Sequence, residues 1–219
     1  MLQLRDYGSK LLKLKKSQKI DFEDAEVFIS NSFENRYDTY IKYVLSFARK
    51  DGIWLEFGVS TGQTTKKYVE FMEDFQKPLY GFDSFMGLPE KWAHHDIGKF
   101  STNGVVPEID GTEIAIGLFE ETLPIFVKDH PTSTKISVLI IDCDLYSSTK
   151  TIFDFLSEYL TVGTIVIFDE IHNGSGIYKD WKKHEYKALM ELAANRNISY
   201  KWIAFEKFGE QASIVITAI

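Results

Sequence analysis

Four acidic residues follow two apolar segments of the chain, with a spacing that suits cation chemistry. LIID ends at Asp142, with Asp144 two residues later, and VIFDE ends at Asp169 and Glu170, 27 residues after Asp142. Short apolar runs that stop at acids indicate buried strands, and neighbouring parallel strands end at one sheet edge about 4.8 Å apart. Carboxylates at that distance repel one another unless a proton or a cation compensates them. An all-oxygen set favours Mg²⁺, with Mn²⁺ or Ca²⁺ as alternatives.

The same acids also have a structural interpretation. Helix capping and salt bridges to basic residues such as Lys150 would account for them without a metal. His172, two residues after Glu170, could orient a substrate, although a solvated loop histidine is the commoner case.

A glycine-rich turn lies upstream in LEFGVSTGQTT, where Gly58 and Gly62 separate an apolar segment from a helix that begins near Gln63. Glycine permits positive φ and close backbone approach, and a helix N-terminus offers free N–H groups to a ligand. The spacing E-x-G-x-x-x-G differs from the G-x-G-x-x-G of nicotinamide enzymes. The alternative is a turn with no ligand.

Asp83 in LYGFDSF ends the next apolar segment, 25 residues after Gly58. An acid at this position can accept the hydroxyls of a ribose. Capping of a turn by Asp83 or Ser84 is the alternative. Together with the glycine turn, Asp83 predicts a ligand that contains adenosine.

Apolar segments of strand length alternate with amphipathic segments of helix length. Strands are predicted at 53–57, 79–82, 114–116, 136–141 and 164–168, and helices at 33–50, 64–72, 120–127, 148–160 and 181–194. This alternation is typical of right-handed βαβ units, and the segments 199–207 and 212–218 end the chain as an antiparallel hairpin. We therefore predict an α/β class I methyltransferase fold: a three-layer Rossmann-like sandwich with a mostly parallel seven-stranded sheet.

Composition narrows the range of partners. The chain has 219 residues, a net charge of −7 and one cysteine, Cys143. These values predict one globular unit, no nucleic-acid partner, no internal disulfide and a cytoplasmic location. From the order of the predicted elements, we expect an N-terminal helical cap or lid segment at 1–51 and a methyltransferase domain at 52–219. No apolar stretch is long enough for membrane insertion. The basic segment 2–19 is expected to cap the domain or a partner subunit, with an anionic membrane surface as the alternative.

A long segment from Ser84 to Gly111 separates two predicted strands and carries several aromatic residues. Segments of this length within compact domains are usually functional or disordered, and the aromatic content favours a substrate lid. His94 and His95 are expected to contact substrate rather than a metal, because no third ligand follows at a suitable spacing.

Six blocks of the sequence resemble the macrocin O-methyltransferase family, between about Gly52 and Val215. The blocks are LEFGVSTG, YGFDSFMGLPEKW, GLFEETLP, IDCDLYSST, VIFDE and WKKHEYKAL. The resemblance implies that S-adenosylmethionine binds at the loop from Glu56 to Gly62 and at Asp83. The cofactor-binding residues expected on this basis are Glu56, Gly58, Ser60, Thr61, Gly62, Thr64, Asp83, Ser84, Phe119 and Asp142.

The resemblance also assigns roles to the acids. It implies that Asp142, Asp169 and Glu170 hold a divalent metal, Mg²⁺ or Mn²⁺, and that Asp144 is the general base for a substrate hydroxyl. Antibiotic-modifying members of the family carry a second aspartate at the position of Glu170.

The predicted function is metal-assisted methyl transfer from S-adenosylmethionine to a hydroxyl of a small polar molecule, such as a sugar or secondary metabolite. A homodimer built on the N-terminal helices is also predicted. The alternatives are metal-independent methyl transfer to nitrogen or oxygen, and a non-catalytic nucleotide-binding module with the same fold.

Overall fold

The computed structural model describes residues 20–72 and 77–219. Its strands are β1 (Glu26–Phe28), β2 (Ile53–Phe57), β3 (Leu79–Asp83), β4 (Thr112–Ile116), β5 (Ile136–Ile141), β6 (Ile165–Phe168), β7 (Ser199–Glu206) and β8 (Ala212–Ala218). Its α-helices are α1 (Phe33–Arg36), α2 (Lys42–Leu45), α3 (Gln63–Glu70), α4 (Phe119–Asp129), α5 (Tyr146–Leu156) and α6 (Glu185–Arg196). A π-helical segment (Tyr37–Ile41) joins α1 to α2, and 3₁₀ turns occupy Ser157–Tyr159 and Trp181–Lys183.

The strands form one sheet in the order β1-β7-β8-β6-β5-β2-β3-β4. All neighbouring pairs are parallel except β6 with β8 and β7 with β8, so the C-terminal hairpin is antiparallel. From β2 the chain builds outward to β3 and β4 on one side, and later to β5 and β6 on the other. This change of direction between β2 and β5 creates the crevice in which ligands of open α/β sheets bind.

The alternating side chains of the central strands supply two cores. Trp54, Val138 and Ile140 pack with the helices 33–45 and α3 on one face. Leu55 and Leu139 belong to a second cluster, which includes side chains of α4, α5 and α6. Because strand side chains alternate between the two faces, burial on both faces requires near-continuous apolar strands. Helices cover both faces of the sheet, which gives the predicted three layers.

The predicted fold class is confirmed, with one difference in strand number. The sheet has eight strands rather than seven because β1 pairs with β7 at the edge. This strand has only three residues and is mostly exposed, so it lacks the apolar pattern of the central strands. The helix predicted at 33–50 ends at Leu45.

Within the described parts of the chain, no helix is both long and apolar enough to span a membrane. The basic segment 2–19 lies outside the described residues.

Candidate active site

The turn after β2, residues 58–62 and here called the glycine loop, is held by Asp83 at the end of β3. Asp83 Oδ2 accepts the N–H groups of Val59 (2.9 Å) and Ser60 (2.7 Å), and Oδ1 accepts that of Phe85 (2.7 Å). Asp83 therefore caps turns, which was the alternative role considered for it from the sequence. A carboxylate has about four lone-pair sites, so these three bonds still leave acceptor capacity toward a ligand.

Gly58 lies where β2 and β5 separate. It has a φ of +100°, and a Cβ atom there would lie 1.7 Å from the carbonyl oxygen of Asp142. The N–H of Asp142 donates to the carbonyl of Phe57 at 2.9 Å. Only glycine fits this contact, which brings the glycine loop directly beside the first acid after β5.

Glu56 lies beneath the glycine loop rather than on its surface. Its side chain is fully buried and accepts a hydrogen bond from Thr64 Oγ1 at 2.7 Å, while Oε2 has no partner among the described residues. Burial raises the pKa of Glu56 to about 7, although the hydrogen bond from Thr64 opposes the shift. Glu56 thus connects strand β2 to the start of α3.

The acids after β5 and β6 meet at the carboxyl edge of the sheet. One carboxylate oxygen from each of Asp142, Asp169 and Glu170 lies within 4.8 Å of the others. Glu170 is buried and its Oε2 has no hydrogen-bond partner among the described residues. A buried carboxylate oxygen without a donor is costly, and hard oxygen donors at these separations fit a divalent cation.

Asp144 projects into the same site from a strained backbone position. Its φ of +64° is in the left-handed region, which is unusual for aspartate and common at functional sites. It is buried, and burial followed by the charge of Asp169 raises the pKa of Asp144 to about 7. A carboxyl group with this pKa can accept a proton near neutral pH.

A further acid, Glu185, lies at the start of α6 and is fully buried. Its Oε2 accepts the N–H of Glu170 at 3.2 Å, and its Oε1 has no partner among the described residues. Burial raises the pKa of Asp142, Glu170 and Glu185, and the neighbouring carboxylates add to the shift. A cation bound here would relieve this repulsion.

Salt bridges to Lys150, the structural alternative considered from the sequence, do not explain the cluster of acids. Lys150 pairs with Asp154 on its own helix, not with the strand-end acids. Instead, Arg36 Nη1 lies 3.6 Å from Asp169 Oδ1. Within residues 20–72 and 77–219, this pair leaves most of the negative charge of the cluster uncompensated.

The glycine loop and the acids border one cavity of about 540 Å³. Its walls include most of the predicted site residues: Gly58, Ser60, Thr61, Thr64, Asp83, Ser84, Phe119, Asp142, Asp144, Asp169 and Glu170. Glu56 and Gly62 do not line it: Glu56 is buried below the loop, and Gly62, at a φ of +75°, forms the N-terminal cap of α3. Apart from His95, the charged or titratable side chains in the described wall are acids or Cys143, which suits positively charged ligands.

The segment 84–111 forms an aromatic wall of the same cavity. Trp92, His95 and Phe100 line the cavity, whereas His94 does not. Trp92 Nε1 donates to the hydroxyl of Tyr178 at 3.2 Å, and its ring stacks on that of His95. These contacts tie the segment to the chain that follows β6.

Sequence reasoning missed three side chains at the site. Arg36 and Gln211 contact Asp169, and Glu185 contacts Glu170. Glu185 lies within the block WKKHEYKAL, but nothing in that block indicates which strand end the helix meets. Gln211 and Arg36 are 42 and 133 positions from Asp169, so only folding brings them there.

The sheet order, the terminal hairpin and a glycine loop at the switch point define a class I methyltransferase. The chain belongs to the methyltransferase domain family, which matches residues 55–171, more than half of its length. It is an S-adenosylmethionine-dependent methyltransferase. No curated protein sequence matches the chain.

Solved structures of low sequence identity share this fold. The calicheamicin methyltransferase CalS11 is 21% identical, with a TM-score of 0.62 over 82% of this chain and 76% of that one. The O-methyltransferase NovP is 19% identical, with a TM-score of 0.59 over 85% and 79%. MycE of the mycinamycin biosynthetic pathway, in complex with Mg and SAH, is 12% identical, with a TM-score of 0.51 over 83% and 49%. At these identities the likeness supports the fold alone.

Proposed function

We propose that this chain is a divalent-cation-assisted O-methyltransferase for a hydroxyl of a small polar molecule, a sugar or secondary metabolite, as in the macrocin O-methyltransferase family. The observation that carries the proposal is the convergence of Asp142, Asp169 and Glu170 within 4.8 Å at a cavity shared with the glycine loop. A metal-independent enzyme has no need for three converging carboxylates beside its methyl donor.

The descriptions of two similar structures support a cation-assisted O-methyltransferase for a sugar hydroxyl. CalS11 is described as a TDP-rhamnose 3'-O-methyltransferase, and MycE was solved with Mg and SAH. By their descriptions, CalS11 acts in calicheamicin biosynthesis and MycE in the mycinamycin biosynthetic pathway, and the rhamnose acceptor of CalS11 makes a sugar hydroxyl a reasonable acceptor class here.

The residues of this chain divide into three roles. The glycine loop, held by Asp83, forms the cofactor side of the cavity, with Phe119 in its wall. Asp142, Asp169 and Glu170 would hold the cation. When bound, S-adenosylmethionine supplies an electrophilic methyl group, and the cation supplies positive charge beside the acceptor oxygen.

Asp144 accepts the proton that the acceptor hydroxyl loses. Its buried carboxylate lines the cavity beside the three acids, which places a base in the same site as the acceptor. The acceptor is held between the acids and the aromatic wall of Trp92, His95 and Phe100, and this positioning lowers the entropic part of the barrier.

Calorimetry and turnover test the proposal. Wild-type protein is expected to bind S-adenosylhomocysteine and Mn²⁺, and to methylate glycoside or polyphenol hydroxyls only with a divalent cation. Asp144→Asn is expected to lower turnover about 100-fold or more while affinity for S-adenosylhomocysteine stays within about twofold.

Two results would contradict parts of the proposal. Undiminished turnover with a chelator present and in Asp169→Ala would leave metal-independent methyl transfer as the function. Undiminished turnover in Asp144→Asn would assign the proton to a different group.

A further inference from the structure

The turn between β7 and β8 is bonded to the segment that follows β6. The carbonyl oxygen of Glu210 accepts the N–H groups of Ile171 (3.0 Å) and His172 (3.2 Å). The His172 Nε2 atom lies 3.0 Å from the carbonyl oxygen of Gln211. The hairpin turn and the acid-bearing segment are thus one hydrogen-bonded unit.

The side chain of Gln211 adds a direct bond to the candidate metal site. Its Nε2 atom donates to Asp169 Oδ1 at 3.0 Å, and its Oε1 atom accepts the N–H of Glu210 at 3.2 Å. Because Oε1 is matched to a backbone donor, the amide has one preferred orientation, with its N–H toward Asp169. A Cβ on Gly209 would lie 2.4 Å from Oε1, so the side chain packs closely on that glycine.

The geometry points to Gln211 as a positioning residue that orients Asp169 for the divalent cation. This inference rests on the proposed metal role of Asp169. The Gln211 bond engages Oδ1 and restricts rotation of the Asp169 carboxylate, whose remaining lone pairs can still bind a cation. Arg36 also approaches Oδ1, at 3.6 Å, but it lies beyond normal hydrogen-bond distance and is partly exposed.

The energetic reason is preorganisation. Without Gln211, the Asp169 carboxylate can rotate, and a cation must restrict that rotation when it binds. Hydrogen-bond partners of metal-ligating side chains typically contribute 10- to 100-fold to metal affinity. A merely structural role for Gln211 would change the stability of the hairpin and leave cation affinity unchanged.

The test is titration of the full chain with MnCl₂, followed by electron paramagnetic resonance and calorimetry. Gln211→Met keeps the side-chain length and removes the N–H donor, and Gln211→Asn keeps the amide but draws it back by one methylene. Both variants are expected to bind Mn²⁺ roughly 10- to 100-fold more weakly than wild type and to change the spectrum of bound Mn²⁺. Affinity for S-adenosylhomocysteine is expected to remain within about twofold, which also reports an intact fold.

Glu210→Gln is the matched control, because it alters a neighbouring side chain whose described hydrogen bond is with Ser175 and keeps the Glu210 carbonyl. Wild-type Mn²⁺ affinity in the folded Gln211 variants would overturn the inference while the proposed function stands. Equal weakening in Glu210→Gln would also overturn it, by indicating a general loosening of the hairpin. Absence of Mn²⁺ binding in wild type would instead refute the metal role and this inference with it.

Discussion

Glu56 is expected to make the free energy of unfolding depend on pH, and Glu56→Gln is expected to remove this contribution. The side chain is fully buried, and its pKa rises from 4.5 to about 7 on folding. The folded state therefore holds a proton between pH 4.5 and 7 that the unfolded state releases, so the stability contribution of Glu56 is lost as pH rises. Below pH 4.5 both states are protonated and the effect vanishes.

The magnitude follows from the two pKa values. At 1.36 kcal/mol for each pH unit between them, the ionisation of Glu56 lowers the free energy of unfolding by about 3 kcal/mol at pH 8 and about 1 kcal/mol at pH 5. Glu56→Gln cannot ionise and keeps an oxygen that can accept from Thr64. Its stability relative to wild type is therefore expected to rise by about 2 kcal/mol between pH 5 and pH 8.

Urea unfolding of ligand-free protein at both pH values measures this difference. Glu56→Gln also places an amide N–H without a partner at the position of Oε2, which lowers the free energy of unfolding. This cost is the same at both pH values and therefore cancels in the comparison. Glu113→Gln on the exposed side of β4 serves as the control and is expected to show no such change. An equal gap between Glu56→Gln and wild type at pH 5 and pH 8 would refute the reasoning.

Three further predictions concern the glycine loop, the aromatic wall and the cofactor. Gly58→Ala is expected to cost about 3 kcal/mol or more in urea unfolding because its Cβ meets the Asp142 carbonyl, whereas Gly98→Ala, also at positive φ but in open space, is expected to cost about 1 kcal/mol; equal costs would contradict this. A double-mutant cycle of Trp92→Phe and Tyr178→Phe is expected to give a coupling of about 1 kcal/mol, and zero coupling would show that their hydrogen bond adds nothing. S-adenosylhomocysteine at 100 times its Kd is expected to raise the free energy of unfolding by about 2.7 kcal/mol, and an unchanged melting temperature would contradict cofactor binding.

The central strands were predictable because their pattern is local. The bounds of β2, β5 and β8 match the predicted segments. β2 and β5 are apolar runs followed directly by Gly58 and Asp142, and β8 begins just after the turn that contains Gly209. β1 was not predictable in the same way. Its three residues are mostly exposed, and they become a strand only because β7 offers an unpaired edge.

Helix ends were less predictable than helix positions. The helix from α1 to α2 begins where Ser32 caps the N–H of Asn35, a signal visible in the sequence. Its end at Leu45 and its π-helical middle depend on how its aromatic side chains pack against the sheet. Local propensity does not determine such packing.

The acidic part of the candidate site was predictable from strand ends alone. Asp142, Asp169 and Glu170 each follow an apolar strand, and parallel strands must deliver their carboxyl ends to one edge, whatever the rest of the chain does. The same reasoning placed Gly58 and Asp83 beside them. It could not show that Glu56 is buried beneath the glycine loop, because the path of the loop after β2 decides which side chains it covers.

The sequence by itself determined the α/β fold class, the glycine loop and the strand-end acids, because each follows from residue types within a few positions of one another. Only the tertiary structure decided the surroundings of those acids. Three side chains reach Asp169 and Glu170 from separate parts of the chain: Arg36 from α1, between β1 and β2; Glu185 from the start of α6; and Gln211 from the turn between β7 and β8. Their placement depends on packing and hydrogen bonds between segments far apart in the chain, which leave no periodic signal in the sequence.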